Sequence, residues 1–135
     1  MEAPLTRCAD RILARAQRRL LRRGRRLDGA DPRLRHRVRI AAKKMRYATE
    51  FFSSLYPRKG GDAYIAHLSA LQDELGYWND TVVGDGLLLE LSRQRGDLAA
   101  EAGYARGYLA SVRKNEDERL RQLWAEVASP RPPRH

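Results

Sequence analysis

Residues 31–48 read DPRLRHRVRIAAKKMRYA, and this stretch decides the fold. Asp31 before Pro32 is a helix start: the carboxylate can accept from a free first-turn amide, and proline's fixed φ suits the first helical position. Beyond it, Val38, Ala41, Met45, Ala48 and, further on, Phe52 recur at three- and four-residue spacing, the period of a helix that buries one side. Ile40, Phe51 and Leu55 are expected to widen the buried arc. Arg37 and Lys44 interrupt it and need a route outward for their stems. The helix is predicted from Pro32 to about Tyr56, with a loop over Pro57–Asp62.

Outward from this segment, the turn Asp28-Gly29-Ala30-Asp31-Pro32 closes an earlier helix, predicted from about Pro4 to Leu27. Leu5, Ala9, Ile12, Ala16, Leu20 and Leu27 form its apolar stripe at ~100° per residue. Arg7, Arg11, Arg15, Arg18, Arg22, Arg25 and Arg26 gather in an arc of about 100° on another side, a face rather than a scatter. Arginine is a strong helix former, so the face persists against like-charge repulsion, and an external anion would relieve that repulsion.

Downstream, Tyr64, Leu68, Leu71, Leu75 and Trp78 form a core stripe on a third helix, about Ala63 to Trp78. Gly76 marks a kink or an end, and Asn79-Asp80 can cap a fourth helix running to about Gln94, before Gly96. A long fifth helix carries Leu98, Ala102, Ala105, Leu109, Val112, Leu120, Leu123 and Val127 in one arc, with Glu116 the sole charge among them. No stretch alternates in the period of two that marks a half-buried strand. The reading is an all-α, antiparallel bundle of four to five helices over residues 1–128, with the tail SPRPPRH, residues 129–135, disordered.

A chain of 135 residues is enough for one domain with its own core. Its 27 Lys and Arg against 17 Asp and Glu give a net charge of +10. That excess is concentrated: residues 1–59 hold 18 basic and 5 acidic side chains, residues 60–135 hold 9 and 12. Such imbalance points to an anionic partner. Cys8 is the single cysteine, which excludes an intramolecular disulfide and a clustered-cysteine zinc site, and it is expected as a small buried apolar residue. With no run of about 18 apolar residues and no apolar signal region, the chain is expected to be cytoplasmic, without a membrane span.

Within the second helix, His36, Arg39, Lys43 and Arg46 fall at i, i+3, i+7 and i+10, inside an arc of about 80°. Arginine offers a bidentate fork, lysine a point charge and histidine a directional donor, a ladder suited to evenly spaced phosphates. Beside the arginine face of the first helix it would make a two-walled basic groove with steeply salt-dependent binding. A solvated face is the plain alternative, and Glu50, four residues after Arg46, can pair with it. A nucleic-acid binder is the chief functional rival. Tyr64, Trp78, Trp124, Phe51 and Phe52 fall with apolar positions, which leaves only Tyr47 to stack on a base. Catalysis has sparse support. His36 could accept a phosphoryl group, but no acidic cluster for a metal accompanies it beyond Asp73, Asp80 and Asp85 within reach in sequence. No metal site, cofactor or catalytic residue is expected.

Leu34-Arg35-His36-Arg37-Val38-Arg39-Ile40 followed by Lys43-Lys44-Met45-Arg46-Tyr47-Ala48 resembles the signature helix of the CHAD family, the conserved histidine α-helical domains. Leu71-Gln72-Asp73-Glu74-Leu75-Gly76 with Asn79-Asp80 is similar to that family's second motif, and the resemblance spans roughly residues 5–127. It implies a helical bundle that binds inorganic polyphosphate in a basic groove without a reaction of its own, and it suggests association with polyphosphate granules. His36 matches the signature histidine, and Arg39, Lys43, Lys44 and Arg46 match its basic positions, whereas Arg11, Arg15, Arg18 and Arg22 rest on the wheel argument alone. Members usually contain two such bundles related by a pseudo-two-fold axis. This chain has one, most like the C-terminal one, so either two chains pair as a homodimer that completes the groove, the preferred expectation because symmetric pairing is the commonest way to complete a two-fold site, or the chain is a fragment that retains one wall.

Overall fold

A computed structural model of the chain describes residues 2–29, 31–55 and 61–129, with side chains placed for 6–29, 31–54 and 61–129. Four α-helices follow one another: α1 (Glu2–Gly24), α2 (Pro32–Leu55), α3 (Gly61–Gln94) and α4 (Ala99–Ala128), with one 3₁₀ turn, Gly96–Leu98, before the last. Among the described residues there is no strand. Each helix packs on the next in sequence. The contacts run antiparallel, since Arg35 and Arg39 of α2 meet Trp78 and Gly76 of α3 in descending order, as His67, Glu74 and Asp85 of α3 meet Glu126, Arg119 and Arg106 of α4.

The start of α2 forms as the Asp-Pro pair predicts. Asp31 Oδ1 accepts from the Leu34 amide at 2.9 Å, and Pro32 is the first helical residue. Gly29, at φ 70°, makes the preceding turn in the left-handed region that a side chain resists. Leu27 lies in that turn rather than in α1, its amide donating to the Gly24 carbonyl at 3.0 Å, and it is still buried.

The core joins Ala9, Leu13 and Leu20 of α1, Val38, Ala42 and Met45 of α2, Leu68, Leu71 and Leu75 of α3, and Leu120, Leu123 and Val127 of α4. Each fully buried leucine here stabilises the fold by about 1.5–3 kcal/mol relative to exposure. Several expected positions differ. Leu13 rather than Ile12 faces inward on α1, and Ile12 is exposed. On α2 the buried residues are Arg35, Val38, Ala42, Met45, Thr49 and Phe52, at i, i+3, i+7, i+10, i+14 and i+17, with Ala41 beside them. That register leaves Phe51, Arg37 and Lys44 outside, so Phe51 does not widen the core and the two cations do not interrupt it. Cys8 is exposed, not a buried apolar filler.

The largest correction concerns Gly76 and Asn79-Asp80. They neither end nor start a helix: α3 runs unbroken through them for 34 residues. A mid-helix glycine costs only about 1 kcal/mol relative to alanine, and buried Leu71, Leu75, Trp78 and Thr81 on either side hold the helix through it. The third and fourth predicted helices are thus one, and the described residues form four helices. Asn79 and Asp80 are exposed on the surface of α3. Tyr56, residues 57–60 of the expected loop and residues 130–135 of the expected tail lie outside the described residues, while Gly61 and Asp62, expected in that loop, belong to α3.

Helix lengths are unequal, 23 and 24 residues for α1 and α2 against 34 and 30 for α3 and α4. At ~1.5 Å per residue α3 outruns α2 by about 15 Å. The far end of the α3–α4 hairpin therefore has no third layer. Among the described residues, Ala102 alone is buried between Thr81 and Leu120. Asp85 and Arg106 pin the two helices there at 3.0 Å, and the guanidinium holds the Asp85 carboxyl below its ordinary range.

Candidate functional site

Arg35 sets the orientation of α2. It is 5% exposed, stacks its guanidinium 3.9 Å from the Trp78 ring centre and donates to Asp117 Oδ1 at 3.0 Å, so one side chain ties α2 to α3 and α4. With Arg35 and its register turned inward, the arc of His36, Arg39, Lys43 and Arg46 emerges along the α3 side of α2. His36 and Lys43 are exposed, Arg39 and Arg46 half-buried. Lys44, one step of ~100° round the helix from Lys43, is exposed outside that arc.

Arg39 is the best-anchored member. Its Nε donates to the Gln72 carbonyl at 3.4 Å. Its guanidinium lies over Gly76, where an added Cβ would sit 3.3 Å from Nε and 3.4 Å from Nη2. Glycine at 76 is thus the surface on which Arg39 rests, a role the sequence reading of a helix stop had missed. Arg46 pairs with Glu50 at 3.8 Å, a long contact on an exposed carboxylate worth about 0–1 kcal/mol. Its guanidinium stands 5.0 Å from the Tyr47 ring centre, with Lys43 Nζ at 5.7 Å. Arg46 Nε is buried without an acceptor among the described residues.

His36 and Arg39 share a small cleft with Pro32, Arg35, Leu75 and Asn79. The two sequence motifs therefore meet in space, 36 and 39 from the first with 75 and 79 from the second. Its volume, about 20 Å³, is that of one water, so the cleft is too small to enclose a larger anion. The expected α1 positions Arg11, Arg15, Arg18 and Arg22 are all exposed. Arg7, Arg11, Arg15 and Arg18 line an open groove of about 970 Å³ along α1, together with Cys8 and Ile12. The α1 groove and the α2–α3 cleft are lined by separate sets of residues. Among the described residues no group of three His, Cys, Asp or Glu is placed to hold a metal ion. Asp73 and Asp80 are exposed and Asp85 is committed to Arg106.

The chain is thus an all-helical bundle that sets His36, Arg39, Lys43 and Arg46 along one side of α2, with Arg39 anchored on α3. The CHAD domain family model matches residues 1–89, and the chain belongs to the CHAD family. It is similar to the crystal structure of the CHAD domain from the plant Ricinus communis, with 38% sequence identity and a TM-score of 0.75, over 93% of this chain and 44% of that one. The chain thus spans less than half the length of that relative. A comparison with curated proteins finds no match. No helix among the described residues is long and apolar enough to cross a membrane.

Proposed function

We propose that this chain binds inorganic polyphosphate along the outer face of α2, with no chemical step of its own. The CHAD domain is a binding-type domain associated with polyphosphate. The observation that carries the reading to particular residues is the anchoring of Arg39 on Gly76 and the Gln72 carbonyl, in line with His36, Lys43 and Arg46. An arginine already anchored in such a row meets a phosphate with part of its side-chain freedom already lost, so the ordering cost of binding falls. Lys44 and the α1 residues Arg11, Arg15, Arg18 and Arg22 add long-range attraction to the same polyanion. Pairing of two chains would bring a second basic wall to the ligand, and granule association in the cytoplasm is the cellular setting this reading suggests.

Nucleic-acid binding is the second reading, favoured by Tyr47, which is exposed between Lys43 and Arg46 where a base could stack. Titration of labelled polyphosphate, competed by single-stranded DNA and RNA of matched charge at two salt concentrations, separates the two. Submicromolar affinity that nucleic acid competes poorly is the expected result. Equal competition by all three polyanions would put the nucleic-acid reading first.

A further inference from the structure

The row His36, Arg39, Lys43 and Arg46 follows the α3 side of α2, and other side chains fill the side turned away from α3. Arg33, Arg37, Ile40, Lys44 and Phe51 fall there within an arc of about 60°, with Tyr47 at its edge. On α1, Gly24 meets the Trp124 ring of α4, and the exposed Arg15, Arg19 and Arg22 stand on the opposite side. The two helices pack on each other, so both arcs belong to one broad surface that faces away from α3 and α4. With 23 and 24 residues in the helices, it is about 35 Å long and about 20 Å wide. Gly24 ends α1 and Pro32 starts α2, which sets Ile12 level with Lys44 and within about two turns of Tyr47 and Phe51. Ile12, Tyr47 and Phe51 are 45%, 51% and 59% exposed at that end of the surface, and Ile40 is half-buried between the cations.

We infer that this surface docks on an anionic lipid layer, with arginine and lysine on the headgroup phosphates and Ile12, Tyr47 and Phe51 at the acyl boundary. Charge excludes a second copy, since two such faces would set arginine against arginine. Glu50, the sole acid of α2, pairs with Arg46 on the α3 side. Asp10 of α1 is half-buried, well round the helix from Arg15 and Arg19. The positive face is therefore not neutralised by its own helices. Apolar exposure separates a lipid layer from a free polyanion. A phosphate chain gives Ile12 and Phe51 nothing to bury against, and a nucleic acid would stack on the rings but leave Ile12 in water. A lipid layer takes both kinds of side chain at once, cations among the headgroups and aromatic rings at the interface. Its headgroups also move laterally, so cations spread over two helices about 10 Å apart need no matching spacing in the partner, as an acidic protein surface or a polymer would have to supply. No member of the row His36, Arg39, Lys43 and Arg46 belongs to this surface, so the lipid face and the polyphosphate row can fail separately.

Flotation of the whole chain with vesicles of phosphatidylcholine alone, and of phosphatidylcholine mixed with phosphatidylglycerol, tests this in the absence of polyphosphate. The mixed vesicles should carry the chain and the neutral ones should not. Ile12→Ser with Phe51→Ser should lower the partition onto mixed vesicles by at least about fivefold at unchanged circular dichroism, and leave polyphosphate affinity as it was. Arg33→Ser with Arg37→Ser should lower it by a similar factor. Arg39→Ala with Arg46→Ala, on the α3 side, should change it by no more than about twofold. A chain that ignores the mixed vesicles overturns the inference, as does vesicle binding that the Ile12/Phe51 pair leaves untouched, which is adsorption by charge alone. A pair that instead weakens binding of polyphosphate or single-stranded DNA assigns the surface to that polyanion and also overturns it. Should the serines at 12 and 51 disturb the helices, Phe51→Ser alone and the Arg33/Arg37 pair decide.

Discussion

The two basic surfaces of this molecule carry the same kind of charge in different physical states. Arg7, Arg11, Arg15, Arg18 and Arg22 on α1, with Arg25 and Arg26 in the turn after it, are all exposed, and among the described residues no ion pair involves any of them. On α2, Arg39 rests on the α3 backbone and Arg46 lies between Glu50 and Tyr47. On the proposed reading the α1 face would act as a field that attracts a polyanion from a distance without holding it in register. The α2 face is a set of positions. An anchored guanidinium has already lost much of the side-chain freedom, up to about 2 kcal/mol for arginine, that a free one loses on binding. Charge count alone does not distinguish the two faces; the second helix's contacts with α3 do.

Removing two positive charges from each face in turn is the strongest way to break this comparison. Arg39→Ala with Arg46→Ala should raise the polyphosphate Kd by about tenfold or more, because each loses a charge-assisted hydrogen-bonding fork held in place. Arg15→Ala with Arg18→Ala removes the same net charge and should cost only about two- to threefold. Both pairs leave the core untouched, so circular dichroism should match the wild type. Titrations at one salt concentration decide it: equal losses would mean that only net charge matters.

Much of the fold was legible because period and punctuation agree in α1, α2 and α4. Asp31-Pro32 caps where it should, and Tyr64, Leu68, Leu71, Leu75 and Trp78 are buried as their spacing demands. The candidate site was legible as a row of residue types on one face. Its mechanics were not. Gly76 carries one local meaning, helix breaker, and its actual role depends on Arg39 arriving from another helix. Arg35 reads as one more cation in a basic helix, though it stands in the buried register with Val38, Ala42 and Met45, and that register was the available signal. Ile12 and Leu13 are adjacent apolar residues, and a shift of about 100° in the core direction decides which one is buried. The exposed Val83, Leu87 and Leu91 on α3 fit the apolar periodicity as well as the buried rows do, because periodicity records a face and not what covers it.

Salt sharpens the comparison with a smaller effect. At about 1 M ionic strength the screening length falls to roughly 3 Å, so attraction from exposed charges fades while contact hydrogen bonds are screened less. The Arg15→Ala/Arg18→Ala chain and the wild type should therefore converge in affinity as salt rises. The Arg39→Ala/Arg46→Ala chain should remain weaker throughout. Isothermal titration across a salt series measures both slopes, and parallel lines for the two variants would contradict the division into field and positions.

The smallest expected effect is the most specific. Gly76→Ala adds one methyl where a Cβ would stand 3.3 Å from Arg39 Nε, tighter than ordinary van der Waals contact. The neighbour is a flexible side chain rather than backbone, so the guanidinium yields by a few tenths of an ångström. In the interior of α3 alanine is favoured over glycine by about 1 kcal/mol, and the thermal midpoint should rise slightly or hold. Displacing Arg39 weakens its hydrogen bond to the Gln72 carbonyl, already long at 3.4 Å, and moves the fork relative to His36 and Lys43. Polyphosphate affinity should then fall by about two- to fivefold, well short of losing Arg39 altogether. Stability and binding thus move in opposite directions in one variant. In the Arg39→Ala background the same methyl should cost no further affinity, since the side chain it displaces is gone. A Gly76→Ala penalty that survives the loss of Arg39 would mean that glycine serves α3 itself, and the anchoring that distinguishes the α2 face from the α1 face would lose its principal support.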